Sequence, residues 1–243
     1  MMTCIFYLVL KKKYDHKTVV LRKKIDENQV LEIIEDKKTS LFKSLLSRPK
    51  KSDVHMHSVK LSYECILMIS GIYAANYFRK ATHSISVDSN VSEVVLDGGV
   101  FQVRTKSNFK KAIVRKRGKN KVDLKLEEHV FIENEDELTL DRHENIIKFP
   151  FKLNSKTIEN YPNRLLEKNS SSVKKSEFTH DEAIKKLQSF LKKPLEDDVR
   201  KLDEDFALRE ITEVYVPIYE ARLIGPKNKI GIIRIDAVRK KVL

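Results

Sequence analysis

Residues 211–243 read ITEVYVPIYEARLIGPKNKIGIIRIDAVRKKVL, and the reading of this stretch decides the fold. Val214, Val216 and Ile218 alternate with their neighbours as a strand does, with Tyr215 and Tyr219 fitting the period less cleanly. Gly225-Pro226-Lys227-Asn228 is turn chemistry, and Ile230 to Ile235 runs back as a second strand. The chain therefore ends in a hairpin. Upstream of it, Thr179 and Glu182 have the spacing of a capping box. Phe178 and Ala183 stand in staple positions, and Ala183, Ile184, Leu187, Phe190 and Leu191 make one apolar face, so a helix starts at Thr179 and stops before Pro194. The segment LEDDVRKLDEDFALRE, with Leu195, Val199, Leu202, Phe206 and Leu208 at three-to-four spacing, predicts a second helix leading into the hairpin.

Towards the N-terminus, Ile5–Leu10 and Thr18–Leu21 are rich in strand formers. Asp26 is an N-cap for a helix carrying Val30, Ile33, Ile34, Leu41, Phe42, Leu45 and Leu46, a stripe that falters at Asp36–Ser40 and is closed by Pro49. From Val54 to Val87 two long strands are expected, one on either side of Gly71, and Asp97-Gly98-Gly99 turns the chain into a further strand at Val100–Val103. Between Val122 and Leu140 short apolar alternations predict several strands after a turn at Arg117–Asn120. Residues 151–177, with Pro162 and the serine run Ser170–Ser172, read as a linker. The expected class is α+β, mostly antiparallel sheets with packed helices. The expected organisation is an N-terminal domain over 1–150, the linker over 151–177 and a C-terminal module over 178–243.

An echo joins the two halves. Val87-Asp88 with Val94-Val95-Leu96, and Ile235-Asp236 with Val242-Leu243, each follow a strand with an Asp placed to accept backbone N–H bonds, which suggests a duplicated helix-strand-strand unit. The later copy resembles PepSY-type domains through Ile235-Asp236-Ala237 and Val242-Leu243 after the helix from Thr179, and it departs from them where Arg239-Lys240 replaces the usual Thr-Gly turn. That resemblance, confined to Phe178–Leu243, implies a small α+β module that contacts a protein partner or modulates a neighbour, and it carries over no catalytic residues.

Composition bounds the function. With 243 residues, 41% of them hydrophobic, the chain can bury a substantial core. The apolar start, Met1–Leu10, is too short to span a bilayer and is followed by Lys11-Lys12-Lys13, so it is read as a strand or a weak anchor; with no longer apolar run elsewhere, a cytoplasmic protein without a membrane span is expected. Cys4 and Cys65 have no motif around them and suit a reducing compartment.

No catalytic constellation, cofactor motif or metal motif is legible. His55 and His57 share a strand face but lack a third ligand at recognisable spacing, while His83, His129, His143 and His180 are scattered. Glu133–Glu137 lacks the alternation and glycine of a calcium loop. Charge is the stronger signal. The net charge is +13, and residues 104–125 hold ten cations against Asp123 alone, whereas residues 126–147 hold eight acids against Arg142. Lys110, Lys111, Arg115, Lys116, Arg117 and Lys119 are therefore the candidate phosphate contacts, although the adjoining acids can compensate them across a sheet, only Phe109 offers a stacking ring, and lysine outnumbers arginine over the chain as a whole. Two functions follow as expectations: a non-enzymatic binding or regulatory module acting within a protein assembly, and an accessory nucleic-acid-binding protein.

Overall fold

The computed structural model describes residues 14–43, 49–103, 120–195 and 198–243. They form a strand-dominated α+β fold. A sheet in the order β5-β2-β7-β8-β9 is built from β5 (Asn120–Leu140), β2 (His55–Val87), β7 (Arg200–Ile224), β8 (Ile230–Asp236) and β9 (Lys241–Val242). β1 (Asp15–Val20) pairs with β7, and β6 (Val173–Lys174) with β2. A separate hairpin joins β3 (Glu93–Leu96) to β4 (Gly99–Gln102). Asp97 and Gly98 both hold positive φ at its turn, as a two-residue type I′ connection requires. Three α-helices lie among the described residues: α1 (Glu27–Lys37), α2 (Pro162–Lys168) and α3 (His180–Leu191).

The C-terminal hairpin stands as read. β7 and β8 pair antiparallel from Ile218↔Asp236 to Ile224↔Ile230. Pro217 sits in the middle of β7, where a missing N–H would ordinarily break a ladder. Here it marks a change of neighbour. Up to Tyr215, β7 pairs in parallel with β1; from Ile218 onward it pairs with β8. The Tyr215 carbonyl accepts the Leu21 N–H at 2.9 Å and the Pro217 carbonyl accepts the Ala237 N–H at 3.0 Å, so the donor that proline lacks falls between the two partners. Gly225 has a different reason from the one its turn suggests. The positive φ values belong to Lys227 and Asn228, while Gly225 is extended; a Cβ there would meet the Phe42 ring at 2.5 Å.

Helix starts obey their caps. Asp26 accepts the Gln29 N–H at 2.9 Å at the head of α1, and Thr179 and Glu182 exchange bonds at the head of α3, with Thr179 N–H donating to the carboxylate at 2.7 Å. That bond, followed by the Thr179 hydroxyl, holds the Glu182 pKa below its ordinary value. Past Lys37 the first helix tightens into a 3-10 turn over Lys38–Phe42, where its apolar stripe falters.

Three expectations need correction. Residues 200–210 are strand, not helix: Leu202, Phe206 and Leu208 also fall on alternate positions, and pairing against β2 settles what local spacing leaves open. Gly71 does not divide two strands, since β2 runs through it, and 120–140 is one strand rather than several. Residues 151–177 are not a bare linker. Pro162 opens α2 at a position where its absent N–H costs nothing, and Val173–Lys174 pair in parallel with Tyr63–Glu64. Among the described residues, those within 1–72, 135–191 and 207–243 make one unit and those within 73–134 and 192–206 a second.

Three apolar clusters lie in the first unit, and the second unit buries Tyr73, Ala75, Tyr77, Val122 and Leu124. One cluster packs Val30 and Ile34 of α1 with Tyr219, Ala221 and Leu223 of β7 and Ile233 and Ile235 of β8; another packs Leu21, Val214, Val216 and Ile218; a third joins Val20, Tyr63, Cys65 and Tyr215. The two Asp turns share local geometry only. Asp88 accepts the Asn90 N–H in an exposed bend, whereas Asp236 is buried and accepts the Val238 and Arg239 N–H groups. With β2 unbroken at Gly71, the order that suggested a duplication is not reproduced in the first half. None of the helices among the described residues is long and apolar enough to cross a membrane.

Candidate functional site

The segment after β5 turns sharply because Asp141 accepts three bonds, from the His143 and Asn145 N–H groups at 2.9 Å each and from the Asn145 side chain at 3.0 Å. Burial alone would push the Asp141 pKa up, and these donors bring it below its ordinary value. The turn places Arg142 and His143 together on Glu177, His143 Nδ1 lying 2.8 Å from the carboxylate. Asp236 closes β8. Its second oxygen takes the Arg239 Nε–H at 2.6 Å, and the Arg239 guanidinium then lies 5.2 Å from the centre of the Phe151 ring, a cation–π distance. Glu64 on β2 receives Lys174 at 3.0 Å and also Arg234, and Lys174 reaches on to Glu220 at 3.4 Å. Burial raises the Glu64 pKa, but the Lys174 and Arg234 hydrogen bonds and charges outweigh it and the net shift is downward.

These groups surround one cavity of about 320 Å³. Arg142, Arg234 and Arg239 line it together with Ile66, Ile147, Phe151, Val216 and Ile218. The three guanidiniums are each committed to a carboxylate, to Glu177, Glu64 and Asp236 respectively, yet a guanidinium has five donors and one pairing leaves others over. Arg142 Nε is buried with no hydrogen-bond partner among the described residues. A buried donor left so asks for an acceptor. Cys65 also lines the cavity, and burial pushes its thiol up to about 11, which favours the neutral thiol at neutral pH. The arrangement can hold an anionic group beside an apolar one.

The phosphate contacts expected from sequence, Lys110, Lys111, Arg115, Lys116, Arg117 and Lys119, lie outside the described residues. Three of the eight neighbouring acids meet cations of other strands: Glu127 meets Arg200 at 3.6 Å, Glu128 meets Arg79 at 2.8 Å and Glu135 meets Arg209 at 3.1 Å. His55 and His57 are exposed on β2 and gather no further ligand among the described residues. The residues that could hold a metal are others: His16, His180 and Glu213, which the fold brings together from β1, α3 and β7. Sequence spacing had no means of finding this group, because its members are joined only through the parallel pairing of β1 with β7 and the seating of α3. No protein-family model matches the chain, and no curated protein or solved structure matches it.

Proposed function

We propose that the protein is a non-enzymatic binding module whose arginine-lined cavity receives a short acidic and apolar peptide segment of a protein partner. The observation that carries this reading is Arg142, whose Nε is buried and without a partner among the described residues, lining a cavity whose wall combines three guanidiniums with isoleucine, valine and phenylalanine side chains. A carboxylate would complete the Arg142 donor set, and an adjoining aliphatic or aromatic side chain would cover the apolar wall. A volume of about 320 Å³ suits one or two residues, not a folded surface. The PepSY-like order over 178–243 fits the same role, a module that contacts a partner.

Short fluorescent peptides ending in an apolar residue with a free carboxylate are the test. Saturable binding by the full chain is expected, weakened on the order of tenfold by amidating the peptide and by Arg142→Gln. Absence of binding across acidic, apolar peptides, or affinity indifferent to both changes, would reject the reading.

The charge of +13, concentrated in residues 104–125, favours a second reading, contact with nucleic-acid phosphates through Lys110, Lys111, Arg115, Lys116, Arg117 and Lys119. It requires affinity that falls steeply with salt and disappears when those charges are reversed. Binding that ignores salt, or none at about 50 mM salt, would end it.

A further inference from the structure

His16 and Glu213 share a sheet face for a reason of register. β1 and β7 pair in parallel with His16 opposite Ile211 and Thr18 opposite Glu213, so His16 and Glu213 project on the same side, one rung apart. α3 begins beside that face because Thr179 caps it, and its first residue, His180, sets Nε2 at 3.1 Å from Glu213 Oε1. The His16 and His180 rings stand 5.4 Å apart at a tilt of 58°. One ligand atom from each of the three residues lies within 4.8 Å of the others. Zinc–nitrogen and zinc–oxygen bonds of about 2.0–2.1 Å at tetrahedral angles place neighbouring ligand atoms about 3.3 Å apart, so one pair already stands at ligand spacing and His16 has only to close in.

The surroundings are those of a ligand set and not of a casual surface pair. His180 and Glu213 are only partly exposed, at 36% and 23% of their side chains. The second carboxylate oxygen of Glu213 accepts the Tyr215 hydroxyl at 3.1 Å, which fixes the plane of the carboxylate and leaves Oε1 for an ion. Tyr215 is itself buried against Val20, Tyr63 and Cys65.

We propose that His16, His180 and Glu213 form a site for a divalent transition-metal ion of the zinc class, with Tyr215 as the positioning residue behind Glu213. Two imidazoles and one carboxylate select borderline ions over Mg²⁺ and Ca²⁺, which want oxygen ligands throughout. Ligation through His180 Nε2 requires the tautomer with its proton on Nδ1, and the ion replaces the hydrogen bond that now joins His180 to Glu213. Three protein ligands leave a fourth position for water or for a group from a partner. This site is separate from the arginine-lined cavity and stands or falls without it.

The test is calorimetric titration of Zn²⁺ into the full chain free of any histidine tag, with Co²⁺ absorption as the spectroscopic check. One ion per chain is expected, with the d–d bands of a low-coordinate nitrogen and oxygen site and no competition from Mg²⁺. His16→Ala and His180→Ala should each weaken binding on the order of a hundredfold, and Tyr215→Phe about tenfold. Glu213→Gln, which keeps shape and hydrogen bonding, should behave as the histidine variants do and guards against loss through misfolding, which circular dichroism reads directly. His55→Ala with His57→Ala should change nothing. Absence of saturable binding, wild-type affinity in His16→Ala or Glu213→Gln, or loss of binding in the His55 and His57 variant would overturn the assignment.

Discussion

The two ends of β7 are one continuous strand held by different forces. Residues 200–210 carry seven charged side chains among eleven, and residues 211–224 three among fourteen. The later part is almost wholly buried, with Ile211, Val214 and Leu223 at 0% exposure. The earlier part is mostly exposed up to Asp205 and works through polar contacts: Glu204 takes the Tyr73 hydroxyl and Lys192, Arg200 meets Glu127, and Lys201 lies 5.3 Å from the centre of the Phe78 ring. Tyr73 feels this in its own chemistry, since burial first and the Glu204 carboxylate second push its phenol up to about 12. Backbone pairing is thus common to both ends, and what differs is whether water is excluded. The buried end answers to volume, the exposed end to charge and salt.

The largest expected effect breaks that contrast if it is wrong. Ile235 on β8 is fully buried in the cluster that β7 shares with α1, and Ile235→Ala should lower unfolding stability by about 2–5 kcal/mol. Leu202 at the other end of β7 is 41% exposed, and Leu202→Ala should stay within about 0.5 kcal/mol. Urea midpoints of the two variants measure the difference. Equal losses would mean that the exposed end is packed after all.

The same contrast explains which parts of the fold are legible in sequence. The hairpin of β7 and β8 can be read because its alternation and its turn are local, and the heads of α1 and α3 can be read because Asp26, Thr179 and Glu182 act within four residues of themselves. Residues 200–210 mislead because Leu202, Phe206 and Leu208 suit a helical stripe and an alternating strand face alike, and only the pairing partner decides. Residues 151–177 mislead because Pro162 reads as a breaker when it is a helix start. The cavity is invisible from sequence for another reason. Its arginines come from the turn after β5, from β8 and from the turn after it, and each looks like an ordinary surface charge until Glu177, Glu64 and Asp236 are set beside them. Lys240 repeats the lesson of Gly225: it holds a φ of 58°, a conformation that glycine adopts without strain, so residue identity alone hides the turn it makes.

An intermediate effect is expected where charge is carried into the buried region. Glu64→Gln leaves Lys174 and Arg234 with one carboxylate fewer, and with those partners 33% and 40% exposed the cost should be about 1–3 kcal/mol, below that of a fully buried pair. The folded-state pKa of Glu64 lies below its ordinary 4.5, so its contribution is present above that pH and is lost as pH falls through the lower, folded value. The wild-type protein should therefore lose stability on acidification below about pH 4.5 more steeply than Glu64→Gln does. Parallel acid limbs in thermal unfolding would show that the Lys174 and Arg234 contacts contribute nothing beyond packing.

The smallest effect sharpens the contrast at its exposed end. In the second unit Asn76 pairs with His129, Ser84 with Asp123, and Arg79 and His83 share Glu128, an order that runs β2 and β5 antiparallel with polar rungs. The His83 and Arg79 hydrogen bonds depress the Glu128 pKa, so this carboxylate is charged and paired above its ordinary 4.5 and loses the pairing only as pH falls through its folded value. At neutral pH the remaining lever on such a partly exposed pair is ionic strength, since about 1 M salt shortens the screening length to about 3 Å. Amide hydrogen exchange over residues 76–84 and 123–129 should then quicken by a few-fold, while residues 211–224, whose protection rests on excluded water, should not respond. Glu128→Gln should show fast exchange at low salt already and little further change on adding it. If salt instead quickens residues 211–224 as much as residues 76–84 and 123–129, the sheet opens as one cooperative piece, and the distinction between a buried and a charged region describes its surface without describing its stability.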